Sequence, residues 1–104
     1  MKNIEEIILL SDAVIDLERG KQFYDKQQAG VGDYFYDSLI SDIESLYLYA
    51  GIHPSQEGYH YILARRFPFA VYYEVSKDVA IVVAVLDMRS NPAWIHHRLD
   101  EREE

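Results

Sequence analysis

The sequence predicts a single α+β domain, an antiparallel β-sheet packed against an N-terminal helical hairpin in the order β-α-α-β-β-β-α. Three observations carry this expectation. The chain has 104 residues, 49% of them apolar and 27% charged, which suits one modest core. Between residues 13 and 50 the apolar positions recur every three or four residues, interrupted once by Gly30-Val31-Gly32. From Tyr59 onward the runs are rich in tyrosine, valine and isoleucine and have strand-like length.

Ile4-Glu5-Glu6-Ile7-Ile8-Leu9-Leu10 reads as a first strand, although its acids equally suit a helix start. Ser11 or Asp12 is a good helix N-cap, because a short side-chain oxygen can take one of the free N–H groups of a first turn. Ala13, Val14, Leu17 and Tyr24 then share one helical face, with Gly20 on the same line. A mid-helix glycine costs about 1 kcal/mol relative to alanine, and close approach of a second helix explains it. Asp33 is placed to cap that helix, whose face is Phe35, Leu39, Ile43, Leu46 and Ala50. The short connection makes the pair an antiparallel hairpin. Gly51 and Pro54 end it, and Ser55-Gln56-Glu57-Gly58 is a loop.

Residues 59–66, 69–75 and 79–86 form the strands of the second half. Pro68 cannot donate to a ladder and belongs at a junction. Ser76-Lys77-Asp78 is a hairpin-sized turn, and the run after it is apolar at nearly every position, as a central strand would be. Asn91-Pro92 opens a C-terminal helix with proline at a tolerated first position. Residues 1–104 are read as one domain, with residues 99–104 as a frayed, charged end.

The net charge is −8, and it is distributed unevenly. Residues 1–58 hold 11 acids and four bases, whereas residues 59–98 hold three acids against five bases. Any contact with a polyanion is therefore confined to the second half, and long-range steering opposes it. No apolar run reaches membrane-spanning length, and the acidic start does not resemble a secretory leader. The absence of cysteine removes disulfides and thiolate chemistry. His53 and His60 have no ligand-like spacing to any partner, so neither metal nor cofactor is expected. A cytoplasmic protein with no membrane association is the expectation.

Two segments carry the function. Arg65-Arg66-Phe67-Pro68-Phe69-Ala70-Val71-Tyr72-Tyr73-Glu74-Val75 is followed by Val82-Val83-Ala84-Val85-Leu86-Asp87-Met88-Arg89, two strand-like runs with arginines at their outer ends. With Asp16-Leu17-Glu18 through Phe23-Tyr24 to Gly30-Val31-Gly32-Asp33-Tyr34-Phe35 before them, this order resembles the RelE/ParE superfamily, the toxins of bacterial type II toxin–antitoxin modules (plasmid stabilisation proteins). The resemblance runs over residues 13–99, and the superfamily's fold has the same order of elements.

The resemblance implies a toxin held inactive by a cognate antitoxin, whose disordered segment folds across the toxin in a hetero-oligomer; a toxin homodimer is compatible with it. One branch of the superfamily inhibits DNA gyrase by binding; another comprises ribosome-dependent mRNA endonucleases. Metal-free RNA cleavage needs a base for the ribose 2′-hydroxyl, cations for the developing charge and an acid for the leaving oxygen. Arg66 and Arg89 match the family's arginine positions. On a continuous strand Arg65 and Arg66 face opposite ways, so Arg66 is expected to face Arg89 and Arg65 to face solvent. Asp87 stands where many relatives have histidine, and it serves either as a base or as the neutralising partner of Arg89. His96 is a further candidate for proton transfer. Tyr59, Tyr61, Trp94 and Arg65 are candidate contacts for antitoxin or substrate, with packing the competing role for the aromatics. The base set is thin for an endoribonuclease, and the reading leans toward target inhibition by binding. The alternatives are the mRNA endonuclease and an interaction module without toxicity.

Overall fold

A computed structural model describes residues 3–102. The strands are β1 (Glu6–Leu9), β2 (Ser55–Gln56), β3 (Tyr59–Leu63), β4 (Phe69–Ser76) and β5 (Val79–Asp87). The helices are α1 (Ser11–Gln27), α2 (Val31–Glu44), the single turn α3 (Leu46–Tyr49) and α4 (Pro92–Asp100). The five strands form one sheet in the order β1-β5-β4-β3-β2. The expected α+β architecture is present, and β2 to β5 pair antiparallel as expected. β1 joins beside β5 in the parallel direction, which makes the sheet mixed. Three helices intervene between β1 and the other strands, so the chain is free to return from either end, and a crossover of that length permits parallel pairing.

The sheet has an apolar layer on each face. On one, Ala13 and Leu17 of α1 and Phe35, Leu39 and Ile43 of α2 pack on Val71, Tyr73, Ala80, Val82 and Val85. On the other, Ile95 and Leu99 of α4 pack on Ala70, Tyr72, Val83, Ala84 and Leu86. Burying each such large side chain contributes about 1.5–3 kcal/mol. β5 serves both layers, as its unbroken apolar run predicts. Its alternation slips once. A β-bulge lies opposite Tyr72 and Tyr73, and Val83 and Ala84 both face the α4 layer.

Gly20 meets the second helix as expected. A Cβ there would lie 2.5 Å from the Phe35 ring, whose position is fixed by Tyr24, Phe67 and Phe69 at centroid distances of 4.9–5.1 Å. The caps differ from expectation. α1 starts at Ser11, with Leu10 before it and no side-chain cap. In α2, Asp33 sits inside the first turn, and the capping oxygen comes from the preceding helix. Asp25 Oδ1 accepts from Gly30 N–H at 3.1 Å and from Gly32 N–H at 2.9 Å. An N-terminal carboxylate also suits the helix dipole. Gly30 itself has φ +92°, a left-handed turn that favours glycine.

Residues 99–102 pack on the domain, against the fraying expected of residues 99–104; residues 103–104 lie outside the described residues. Leu99 is 1% and Arg102 6% exposed. The Arg102 guanidinium forks onto Asp16, with Nη1 2.8 Å from Oδ2 and Nη2 3.1 Å from Oδ1. Nη1 also donates to the Val83 carbonyl at 2.9 Å. Planar, bidentate, with a further hydrogen bond to Val83 and with Nε 3.5 Å from Asp12 Oδ2, this is the geometry in which a buried ion pair is tolerated.

Candidate functional site

β3 ends at Leu63, and residues 65–68 form a bend before β4. The strand alternation expected for Arg65 and Arg66 therefore does not apply, because Pro68 ends the ladder early. Arg65, expected in solvent, is tied to α2. Its Nε donates to Asp42 Oδ1 at 2.9 Å and its backbone N–H to Asp42 Oδ2 at 3.2 Å. Asp42 is 3% exposed, so Arg65 is the counter-charge of a buried carboxylate. Arg66 is exposed and makes no ion pair among the described residues.

Arg89 follows the end of β5 and closes back on Asp87. Asp87 Oδ1 accepts from the Arg89 backbone N–H at 2.9 Å and from Nε at 3.0 Å, and Oδ2 accepts from Nη2 at 2.7 Å. The hydrogen bonds from Arg89 hold the Asp87 carboxyl below the usual carboxylate range, despite its partial burial. Asp87 in turn makes the Arg89 guanidinium harder to deprotonate than usual. Arg89 Nη2 also lies 3.4 Å from the Tyr24 hydroxyl. Tyr24 packs on Phe67 at 4.8 Å, next in sequence to Arg66. The end of the sheet thus carries an internally matched Arg89–Asp87 pair and an unpaired Arg66. A carboxylate so engaged is a poor general base, since protonation would break three hydrogen bonds.

His96 is elsewhere. Its Nδ1 lies 2.5 Å from Glu57 Oε2 and its Nε2 3.3 Å from Asp100 Oδ2, so it clips α4 to the turn between β2 and β3. His97 pairs with Glu101 at 3.7 Å. The structure does not bring His96 together with Asp87 and Arg89. Glu57, His96 and Asp100 do cluster closely enough to hold an ion, but all three are exposed, and the two imidazole nitrogens are divided between the carboxylates. Tyr59 is 8% exposed and belongs to the α4 core layer, with Tyr61 packed against it. Tyr59 therefore packs in that layer, the competing role expected for it.

Trp94 does not take the packing role that competed for the aromatics. Ile95 and Leu99 anchor α4, while Trp94 stays 39% exposed with the Arg98 guanidinium 5.0 Å over its ring. It lines a cavity of about 200 Å³ between α1 and α4, whose opposite wall carries Gly20, Phe23 and Arg19. The floor is Phe69, Val85, Leu86 and Asp87. Sequence reasoning missed Arg19, Phe23 and Arg98. The signal was present, because Phe23 lies off the apolar stripe of α1 and is 50% exposed.

A second polar cluster sits under the loop after α3. The Tyr73 hydroxyl accepts from Gly51 N–H at 2.8 Å and lies 2.5 Å from His53 Nδ1. His60 stacks on the Tyr73 ring and its Nδ1 lies 2.8 Å from the His53 carbonyl. Desolvation, then the neighbouring His60, lowers the His53 pKa below the ordinary histidine value. The cluster latches the loop to the sheet.

No protein-family model matches the chain, and no curated protein matches it in sequence. Solved structures do. A chain in the structure of the chromosomal ParDE TA system from P. aeruginosa superposes with a TM-score of 0.71, at 15% sequence identity, over 77% of this chain and 91% of that one. The two chains share a fold. The α+β architecture expected from the sequence is thus one that a solved structure shares. Among the described residues no helix is long and apolar enough to cross a membrane.

Proposed function

We propose that the chain is the toxin of a type II toxin–antitoxin module, neutralised by a cognate antitoxin, and that it acts by binding its target, as ParE-like inhibitors of DNA gyrase do. The fold shared with the ParDE structure supports the toxin reading. The observation that favours binding over catalysis is the Asp87–Arg89 fork, which engages the best-placed base and the arginine at the strand end in a single internal pair. His96, the remaining proton-transfer candidate, is engaged by Glu57 and Asp100. What is left at this edge is Arg66, a cation without an adjacent base. Such an edge can hold an anionic or carboxylate-bearing surface, and its chemistry for cutting RNA is incomplete.

Induction in a bacterial host together with assay of the purified protein tests the reading. The expected result is growth arrest with intact transcripts, inhibition of gyrase supercoiling by the pure protein, and relief of both by Arg66→Ala. Translation-dependent mRNA cleavage that disappears in Asp87→Asn would overturn it in favour of the endonuclease. Unchanged growth on induction, with no inhibition of supercoiling, would leave an interaction module without toxicity.

A further inference from the structure

β1 pairs with β5 only from Val79 to Val82. Beyond that point no strand lies beside β5 on this side, and the space between α1 and α4 is left as the cavity of about 200 Å³. Its floor is apolar, with buried Phe69 and Leu86 in it, and its walls are aromatic, with the exposed rings of Phe23 on α1 and Trp94 on α4. The volume bounds the occupant. An apolar cavity of about 150 Å³ takes one benzene ring, whereas sites for larger ligands run to roughly 300–1,000 Å³. A single ring with a short arm, or two fused rings, is the size that fits.

The rim selects charge. The two carboxylates of the lining are matched from within the chain, Asp16 by Arg102 and Asp87 by Arg89. Arg19 and Arg98 line the same cavity and have no ion pair among the described residues, although the chain holds 18 acids against 10 lysines and arginines. Two unmatched cations beside one cavity make a local anion site on an acidic protein. Arg98 is also held ready, because its guanidinium lies 5.0 Å over the Trp94 ring. A side chain stacked in this way loses little rotamer freedom when it binds. The planar fork of a guanidinium matches a carboxylate. Aromatic walls, an apolar floor and forked cations at the rim converge on one ligand class, an aromatic ring that carries a carboxylate on a short arm.

We propose that the cavity between α1 and α4 is a binding site for a small aromatic carboxylate, whose ring lies between Phe23 and Trp94 over Phe69 and Leu86 and whose carboxylate is held by Arg19 and Arg98. The site is built from this chain's own side chains and does not depend on which target the chain inhibits.

Trp94 is the one tryptophan of the chain, so its emission reports occupancy directly. The probe is 3-phenylpropanoate, compared with 3-phenylpropanamide, which keeps the ring and the arm and lacks the charge. A ligand of about ten heavy atoms should reach a Kd of about 1 mM or tighter. The carboxylate should bind at least about tenfold more tightly than the amide, since hydrogen bonds to a charged group are the stronger ones. The double variant Arg19→Gln/Arg98→Gln, in which neither position is buried, should abolish that preference and leave the affinity for the amide unchanged. Phe23→Ala should weaken both forms alike, by about threefold or more, and melting curves check that each variant is folded. No saturable response up to about 10 mM, roughly tenfold weaker than such a ligand should reach, would overturn the proposal. Equal binding of the two forms would overturn it as well, since the cavity would then have no preference for an anion. So would a carboxylate preference that survives in the double glutamine variant. A Trp94 response to protein concentration alone would give the cavity to a second copy of this chain. Tighter binding of acetyl-Gly-Gly-Phe through its free C-terminus would give it to the end of a polypeptide. Either result would overturn the assignment to a small molecule.

Discussion

Replacing Arg102 with methionine isolates the contribution of the chain's C-terminal end. Arg102 and Asp16 are 6% and 8% exposed, and the guanidinium makes two contacts with the carboxylate and one with the Val83 carbonyl. Removing it leaves the Asp16 carboxylate buried against β5 with only the Val85 N–H, at 2.9 Å, to stabilise its charge. Breaking one side of a buried pair costs about 3–5 kcal/mol, a large part of the roughly 5–15 kcal/mol that stabilises a domain of this size. At about 4–5 °C per kcal/mol, melting should fall by roughly 12–25 °C. Urea unfolding of Arg102→Met, Asp16→Leu and the double variant gives the coupling energy. The double variant should recover most of the loss, keeping a residual of about 1–3 kcal/mol for the orphaned Val85 N–H and Val83 carbonyl. A single variant within 0.5 kcal/mol of the parent, as surface positions usually give, would refute this account and return the segment to a frayed tail.

Four further outcomes follow from the same contacts. Gly20→Ala should destabilise by about 1–2 kcal/mol in urea, because overpacking against the immobile Phe35 ring outweighs the helix propensity gained. Arg65→Ala should cost about 1–2 kcal/mol through the buried Asp42 carboxylate, while Arg66→Ala leaves the urea midpoint unchanged; equal effects would show that the bend is misread. His53 has a lowered pKa in the folded protein, so below the unfolded value near 6.5 the unfolded chain binds more protons. Stability should therefore decline as pH falls from 7 toward 5, and His53→Gln should flatten that decline. Glu57→Gln, which loosens the His96 clip at the surface, should change stability by no more than about 0.5 kcal/mol, with thermal melting as the check.

The fold was legible wherever one residue type had one physical reason to be present. Gly20 announced a close helix crossing, and the apolar run of β5 announced a strand buried on both faces. The pairing of Asp87 with Arg89 was also within reach, because the two residues are close in sequence at a strand end. Arg65 and Arg66 were harder. Their faces were assigned from an alternation that requires a continuous strand, and the ladder stops at Leu63, two residues before Arg65. Arg102 was hidden by its surroundings, since a charged residue among charged neighbours at a chain end looks solvated. Only the vacancy beside β5 gives it a buried partner, and that vacancy depends on where β1 stops. The cap of α2 was missed for a related reason. Asp25 is five residues before Gly30, across a turn, and capping was sought next to the helix it serves.

The bulge opposite Tyr72 and Tyr73 makes the length of β5 as consequential as its composition. Because Val83 and Ala84 both face α4, everything after them is one step out of phase with everything before. Val83 is the extra residue, so deleting it would remove the bulge and leave Val85 toward the helical hairpin and Leu86 toward α4, where they already lie. Losing a residue elsewhere in the strand would instead exchange inside for outside beyond the gap and present different amides to Asp16. The segment should therefore tolerate exchanges among valine, isoleucine and alanine, and a shortening at Val83, far better than a change in its count at any other position.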